Sequence, residues 1–231
     1  MRVPEPAVDY RRFRFSRLNA PEFRHLKLLL FWPLFGLAFL WLERFPPVEY
    51  YYPVRCALDD LIPFCEIFLI PYLFWFVYLI GMHVYTLLYD VRGFRRLMWY
   101  VIVSYSVTML IYLVWPTCQE LRPETFLRDN ALTRFISWFY RFDTHTNVTP
   151  SLHVIGSAAV WYASRHTEKF RSTGWQAAFG AAAVLISLST VFMKQHSAVD
   201  ILAAIPVCAL ARCITDRCCS YDREKYFNRK H

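Results

Sequence analysis

Two histidines, one aspartate, a serine and an arginine are the residues of this 231-residue chain whose types and spacing could do chemistry. His196 and Asp200 stand four apart in "KQHSAVD", a spacing that predicts one shared helix face. A carboxylate so placed holds one imidazole nitrogen protonated and leaves the other as nucleophile or base. His153 stands in "NVTPSLHV". There Pro150 suits the first position of a helix, with Thr149 as the extended N-cap before it. Ser151 and the free amides of that first turn would form an anion site, with His153 in the same turn. Arg122, in "PTCQELRPE", is a permanently charged fork suited to phosphate.

Each of these residues also has a plainer use. A histidine at a helix end can cap the helix or sit at an interface. His196 and Asp200 can be a structural hydrogen-bonded pair, although an ionisable pair at the end of a membrane span more often has a function. Arg122 can be a snorkelling anchor. Two His and one Asp could also ligate a metal. Arg122 and Lys194 beside them would repel a cation and welcome an anion, so no metal and no cofactor is expected.

The elements that must position these residues are membrane helices. Hydrophobic residues make up 56% of the chain and aromatics 19%, yet mean hydropathy is only +0.24, so very apolar runs alternate with polar segments. Six apolar segments run near Leu26–Leu42, Ile67–Leu88, Leu97–Trp115, Pro150–Ser164, Gly174–Met193 and Ala198–Ile214. The fourth and sixth are short and rich in small residues, which suits close packing inside a bundle. Residues 1–25 form a basic arm ahead of a 26–214 membrane domain, and 215–231 a basic tail. "CALDDLIPF" (Cys56–Phe64) is too short and acidic to cross and reads as an interfacial or re-entrant piece. The longest connection, Pro116–Thr149, carries "RFISWFYRF", which predicts an ordered segment along the interface.

Charge sets the expected orientation. The net charge is +8, and the basic residues flank apolar runs with no basic helix face, so they orient membrane spans and no nucleic-acid partner is expected. With both termini cytoplasmic, nineteen of the 26 Lys and Arg fall on inner segments and seven on outer ones. That topology brings His153, His196, Asp200, Ser151 and Arg122 to the outer surface together. On one face they suit phosphoryl transfer. No cleavable leader is visible, so the first span reads as an uncleaved anchor. The seven cysteines form no zinc pattern; Cys56 and Cys118 share the outer side and could pair, though two free thiols are the simpler expectation.

These stretches resemble the motifs of the type 2 phosphatidic acid phosphatase superfamily. Arg122-Pro123 stands where that family has Arg-Pro. Pro150 to His153 reads "PSLH" for Pro-Ser-Gly-His, and Ser189 to Asp200 supplies Ser, then His, then Asp four on. The resemblance spans about Tyr72 to Ile214 and implies a six-transmembrane-helix bundle, all-α and integral to the membrane. Three positions depart from it: Trp115 replaces the first-motif Lys, Thr190 the third-motif Arg, and Leu152 the Gly. Lys194 and Arg141 are the candidates to replace the two missing phosphate-binding cations.

The intact His, His and Asp with eroded cations are similar to the branch that holds sphingomyelin synthases and inositol phosphorylceramide synthases. The resemblance implies His196 as nucleophile, forming a phospho-histidine, Asp200 as its orienter and His153 as general acid and then base. Arg122, Ser151 and the helix-start amides would stabilise the equatorial oxygens. The expected activity is transfer of a phosphorylated head group between lipids at the outer leaflet, on a phospholipid or sphingolipid substrate. A lipid phosphate phosphatase is the alternative, and a non-catalytic lipid-binding protein a third reading. The resemblance favours a bacterial plasma membrane.

Overall fold

The apolar runs fold into long helices because a chain in lipid must satisfy every backbone group internally. The computed structural model describes residues 5–45 and 48–227, with side chains described through residue 219. It is mostly helical, an all-α fold with, among the described residues, five helices long and apolar enough to cross a membrane: Arg24–Arg44, Glu66–Tyr89, Val91–Val114, Thr173–Phe192 and Ala198–Cys219. The protein is thus a multi-pass membrane protein.

The first of these is a 3-10 stretch, Arg24–Leu30, running into α1 (Phe31–Arg44). After β1 (Tyr52–Pro53) and the single turn α2 (Ala57–Leu61) come α3 (Leu69–Tyr89) and α4 (Val91–Val114). Asp90 joins the last two, its side chain accepting from Gly93 N at 2.9 Å as the N-cap of α4. Arg92, Arg95 and Arg96 therefore lie inside the helix, which starts ahead of the expected Leu97. β2 (Thr117–Cys118) pairs in parallel with β1. α5 (Ala131–Phe142), α6 (Leu152–His166), α7 (Thr173–Phe192) and α8 (Ala198–Phe227) complete the chain.

α8 does not stop near Ile214. No Gly or Pro follows that position, and the stretch beyond it contains good helix formers, so the helix continues through most of the expected basic tail. Tyr162 Oη donates to Asp216 Oδ1 at 2.5 Å and ties this extension to α6. The expected arm is also built against the bundle: Ala7 N donates to Leu88 O at 2.7 Å and Tyr10 Oη to Leu87 O at 2.7 Å. Residues 1–4 of that arm and 228–231 of the tail lie outside the described residues.

α6 occupies the expected fourth span. It has 15 residues, shorter than the five crossing helices, and packs against α3, α4, α7 and α8. Its inner face is made of small residues: Gly156, Ser157, Ala159 and Ala163 are buried. A Cβ on Gly156 would stand 2.8 Å from Tyr105 Oη and 2.9 Å from Trp75 Nε1, so α3 and α4 approach α6 only because no side chain is there. Gly156→Ala is expected to destabilise the bundle by about 1–3 kcal/mol through overpacking. Thermal unfolding of the purified variant in detergent checks this, and an unchanged midpoint would mean the two rings move aside freely.

The Pro116–Thr149 connection is ordered, as the aromatic run predicts. Asn130 and Thr133 form a capping box at the start of α5. Ile136 of that helix packs with Leu69, Tyr72 and Met193, which seats α5 over the heads of α3 and α7. Phe135, Trp138 and Phe142 stay exposed on its other face. Cys56 and Cys118 are free thiols.

Candidate active site

His196 lies in the turn between α7 and α8. The four-residue spacing predicts one helical face, but α8 begins only at Ala198. The reason is a second pattern in the same residues. "SAVD" is a capping box: Ser197 N donates to Asp200 Oδ2 at 3.0 Å and Ser197 Oγ accepts from Val199 N at 3.2 Å. The turn closes with Gln195 N and His196 N both donating to Thr190 O, at 2.9 and 3.1 Å. Lys194 takes a φ of 53° to allow it, an uncommon conformation for a residue with a side chain.

Asp200 is fully buried and serves two elements at once. Its Oδ2 lies 2.9 Å from His196 Nδ1 as well as capping α8. Its Oδ1 accepts from Thr149 Oγ1. With Nδ1 engaged, Nε2 is the His196 nitrogen left for chemistry.

His153 comes from the first turn of α6. That helix starts at Leu152 with Ser151 as N-cap, so Pro150 stands ahead of the helix and Thr149, expected at the cap, bonds Asp200 instead. Ser151 N donates to Asp200 O at 3.3 Å, and Tyr112 Oη donates to Pro150 O at 2.7 Å. The "TPSLH" turn is thereby pinned to α4 and α8. The His153 ring is held between Tyr72 and Trp75 of α3, with centroids 4.4 and 4.5 Å away. It meets His196 edge to face at 5.9 Å. The Nε2 of His153 and the Oγ of Ser151 are buried and without a hydrogen-bond partner among the described residues.

The cations behave differently from the expectation. Arg122 reaches the site, but its terminal nitrogens donate to the carbonyls of Tyr140, Asp143 and Thr144 at 2.9–3.0 Å and to Gln195 Oε1 at 2.5 Å. Its guanidinium also lies 4.6 Å over the Tyr140 ring and 3.7 Å from the Asp143 carboxylate. Burial lowers its pKa, with Asp143 opposing. Arg122 is therefore first a clamp on the end of α5. Lys194 points away from the histidines, its Nζ donating to Asp59 O at 2.7 Å and Ile62 O at 2.6 Å. Arg141 is exposed in the last turn of α5.

Several residues at the site have no individual signal in the sequence. Burial raises the Asp143 carboxyl, while the Arg122 and His196 charges pull it down. Asp59, 1% exposed, accepts from Ser197 Oγ at 2.6 Å and Ala198 N at 2.8 Å. Gln195 bridges Arg122 to the His196 turn. The capping box in "SAVD" was the one readable clue, since it places the helix start after His196.

The arrangement brings together His153, His196, Asp200, Ser151 and Arg122, and leaves Lys194 and Arg141 apart. An imidazole held by a buried carboxylate beside a second imidazole can act as nucleophile and general acid. Among the described residues no group of three or more His, Cys, Asp or Glu could hold a metal ion. No protein-family model, curated protein or solved structure matches this chain.

Proposed function

We propose that this chain is a metal-independent enzyme that transfers a phosphoryl-linked head group between lipids through a phospho-histidine. The observation that carries the reading is the His196–Asp200 pair, bonded at 2.9 Å, with the His153 ring 5.9 Å away. His196 Nε2 attacks phosphorus and Asp200 stabilises the positive charge that develops on the ring. His153 gives a proton to the departing alcohol, then takes one from the incoming hydroxyl. Ser151 and the first amides of α6 stabilise the equatorial oxygens.

The fold and topology support the same reading. Counting α6 as a crossing gives six spans of the type 2 phosphatidic acid phosphatase kind. At 1.5 Å per residue its 15 residues reach only about 22 Å, which suffices because four helices shield it from lipid. The distribution of Lys and Arg supports both termini in the cytoplasm and the histidines at the outer leaflet, and the family resemblance supports a bacterial plasma membrane.

Head-group transfer is preferred over hydrolysis because Arg122 and Lys194 are engaged by backbone carbonyls. A phosphodiester carries less charge than a monoester and needs fewer free cations. Purified protein given a labelled phosphodiester lipid and an acceptor lipid with a free hydroxyl is expected to form an acceptor-dependent lipid product, read by mass spectrometry. Release of the phosphorylated head group to water with no acceptor-dependent product, or release of free phosphate from a monoester lipid supplied in its place, would sink the transfer reading and leave a hydrolase.

A further inference from the structure

We infer that the carboxamide of Gln195 is a neutral ligand for a phosphoryl oxygen, aimed by Arg122; the assignment rests on the phosphoryl-transfer reading of His196. Gln195 precedes His196 and is 3% exposed. Its Oε1 accepts from Arg122 Nη2 at 2.5 Å. An arginine only donates, so this bond settles which end of the amide faces it. Nε2 is left turned away, buried, with two N–H groups and no acceptor. The side chain is held at its Oε1 by Arg122, which is itself clamped to three carbonyls.

The neighbouring atoms point the same way. Arg122 Nε is also buried without a partner. Two side chains bonded to each other therefore present unanswered donors at the edge of the His196 turn. Buried donors are ordinarily paired, and unpaired ones are destabilising unless a ligand completes them. The matching ligand is an oxygen with lone pairs and partial negative charge, which is what a phosphoryl group in transfer offers. An amide supplies this contact without adding a cation, in keeping with a phosphodiester substrate.

The test uses the full-length protein in detergent, with Gln195→Glu and Gln195→Met, and orthovanadate as the phosphoryl mimic. Glu keeps an acceptor for Arg122 and sets a carboxylate oxygen in place of the amide nitrogen. Turnover and vanadate inhibition should each weaken about 100-fold in Gln195→Glu and about tenfold in Gln195→Met, the scale of losing one hydrogen bond to a charged oxygen with or without added repulsion. Variants that keep both within about twofold of wild type overturn the assignment, since even a modest hydrogen bond to a charged oxygen exceeds that. Should both variants unfold, wild-type protein labelled with 15N at glutamine answers instead. One buried side-chain amide must shift on vanadate addition, and the absence of any shift overturns the assignment. Active wild type with unaffected variants defeats the Gln195 role alone, whereas wild type that turns over no lipid phosphate ester defeats the reading beneath it.

Discussion

His196→Ala is expected to lower lipid turnover by about four orders of magnitude or more, to the level of protein-free controls, as loss of a nucleophile does elsewhere. The geometry gives the reason. Asp200 holds Nδ1 at 2.9 Å, so Nε2 is the nitrogen available for attack. His153 cannot substitute, because its ring is held between Tyr72 and Trp75 and its Nε2 has no partner among the described residues, whereas His196 has Asp200 to hold it. The fold should survive the change. Asp200 still accepts from Ser197 N and Thr149 Oγ1, and the backbone of the turn is held through Thr190 O. An unfolding midpoint near that of wild type therefore separates lost chemistry from lost structure. A radiolabelled phosphoryl group on the wild-type protein, labile in acid and absent from the variant, would identify the intermediate directly. Unchanged turnover in the variant removes His196 as nucleophile.

The parts of this arrangement differ in how readable they are from sequence, for physical reasons. Long spans are legible because lipid imposes composition on every residue that crosses it. α6 is legible by its small residues, which Gly156 shows to be a packing requirement. His153 and His196 are legible because topology alone brings their turns together. Finer features follow from local competition that spacing cannot rank. "HSAVD" carries both an i,i+4 pair and a capping box; both form through Asp200, and the box sets the helix start after His196 because it completes the free amides of α8. Arg122 and Lys194 look like phosphate ligands because both are cations near the histidines. Only the fold shows that backbone carbonyls already take their donors. Arg141 carries the same charge, and only the fold places it exposed in the last turn of α5. Asp59 is the extreme case, since its partner Ser197 is 138 residues away and nothing near it in sequence marks the contact.

That long-range contact gives a stability effect expected to exceed that of Gly156. Asp59 belongs to α2, in the loop between the first two spans, and the residue is buried with its carboxylate at the start of α8. Oδ2 accepts from Ser197 Oγ at 2.6 Å and Cys56 N at 2.8 Å, and Oδ1 from Ala198 N at 2.8 Å. Lys194 Nζ and Phe192 O bind the same loop through Asp59 O, Ile62 O and Cys65 N, so the loop and the His196 turn form one body. Asp59→Ala leaves three donors without acceptors and should cost about 3 kcal/mol or more, at roughly 1 kcal/mol or more for each hydrogen bond to a charged group. In a chain of this size that is about 6–12 °C in the unfolding midpoint. Turnover should fall with it, because Ser197 N carries the Asp200 carboxylate that holds His196. The pH dependence supplies a readout that mere packing would not move. Burial raises the Asp59 pKa, but the hydrogen bonds from Ser197, Ala198 and Cys56 outweigh it and set it below the ordinary carboxylate value. A carboxyl whose folded pKa is depressed stabilises the protein above its unfolded pKa, and that stability is lost as pH falls through the folded value. Wild type should therefore lose stability on acidification to below the ordinary carboxylate range, and Asp59→Asn should lose less over the same interval. Equal acid sensitivity in the two proteins would mean that the start of α8 is held without the Asp59 charge.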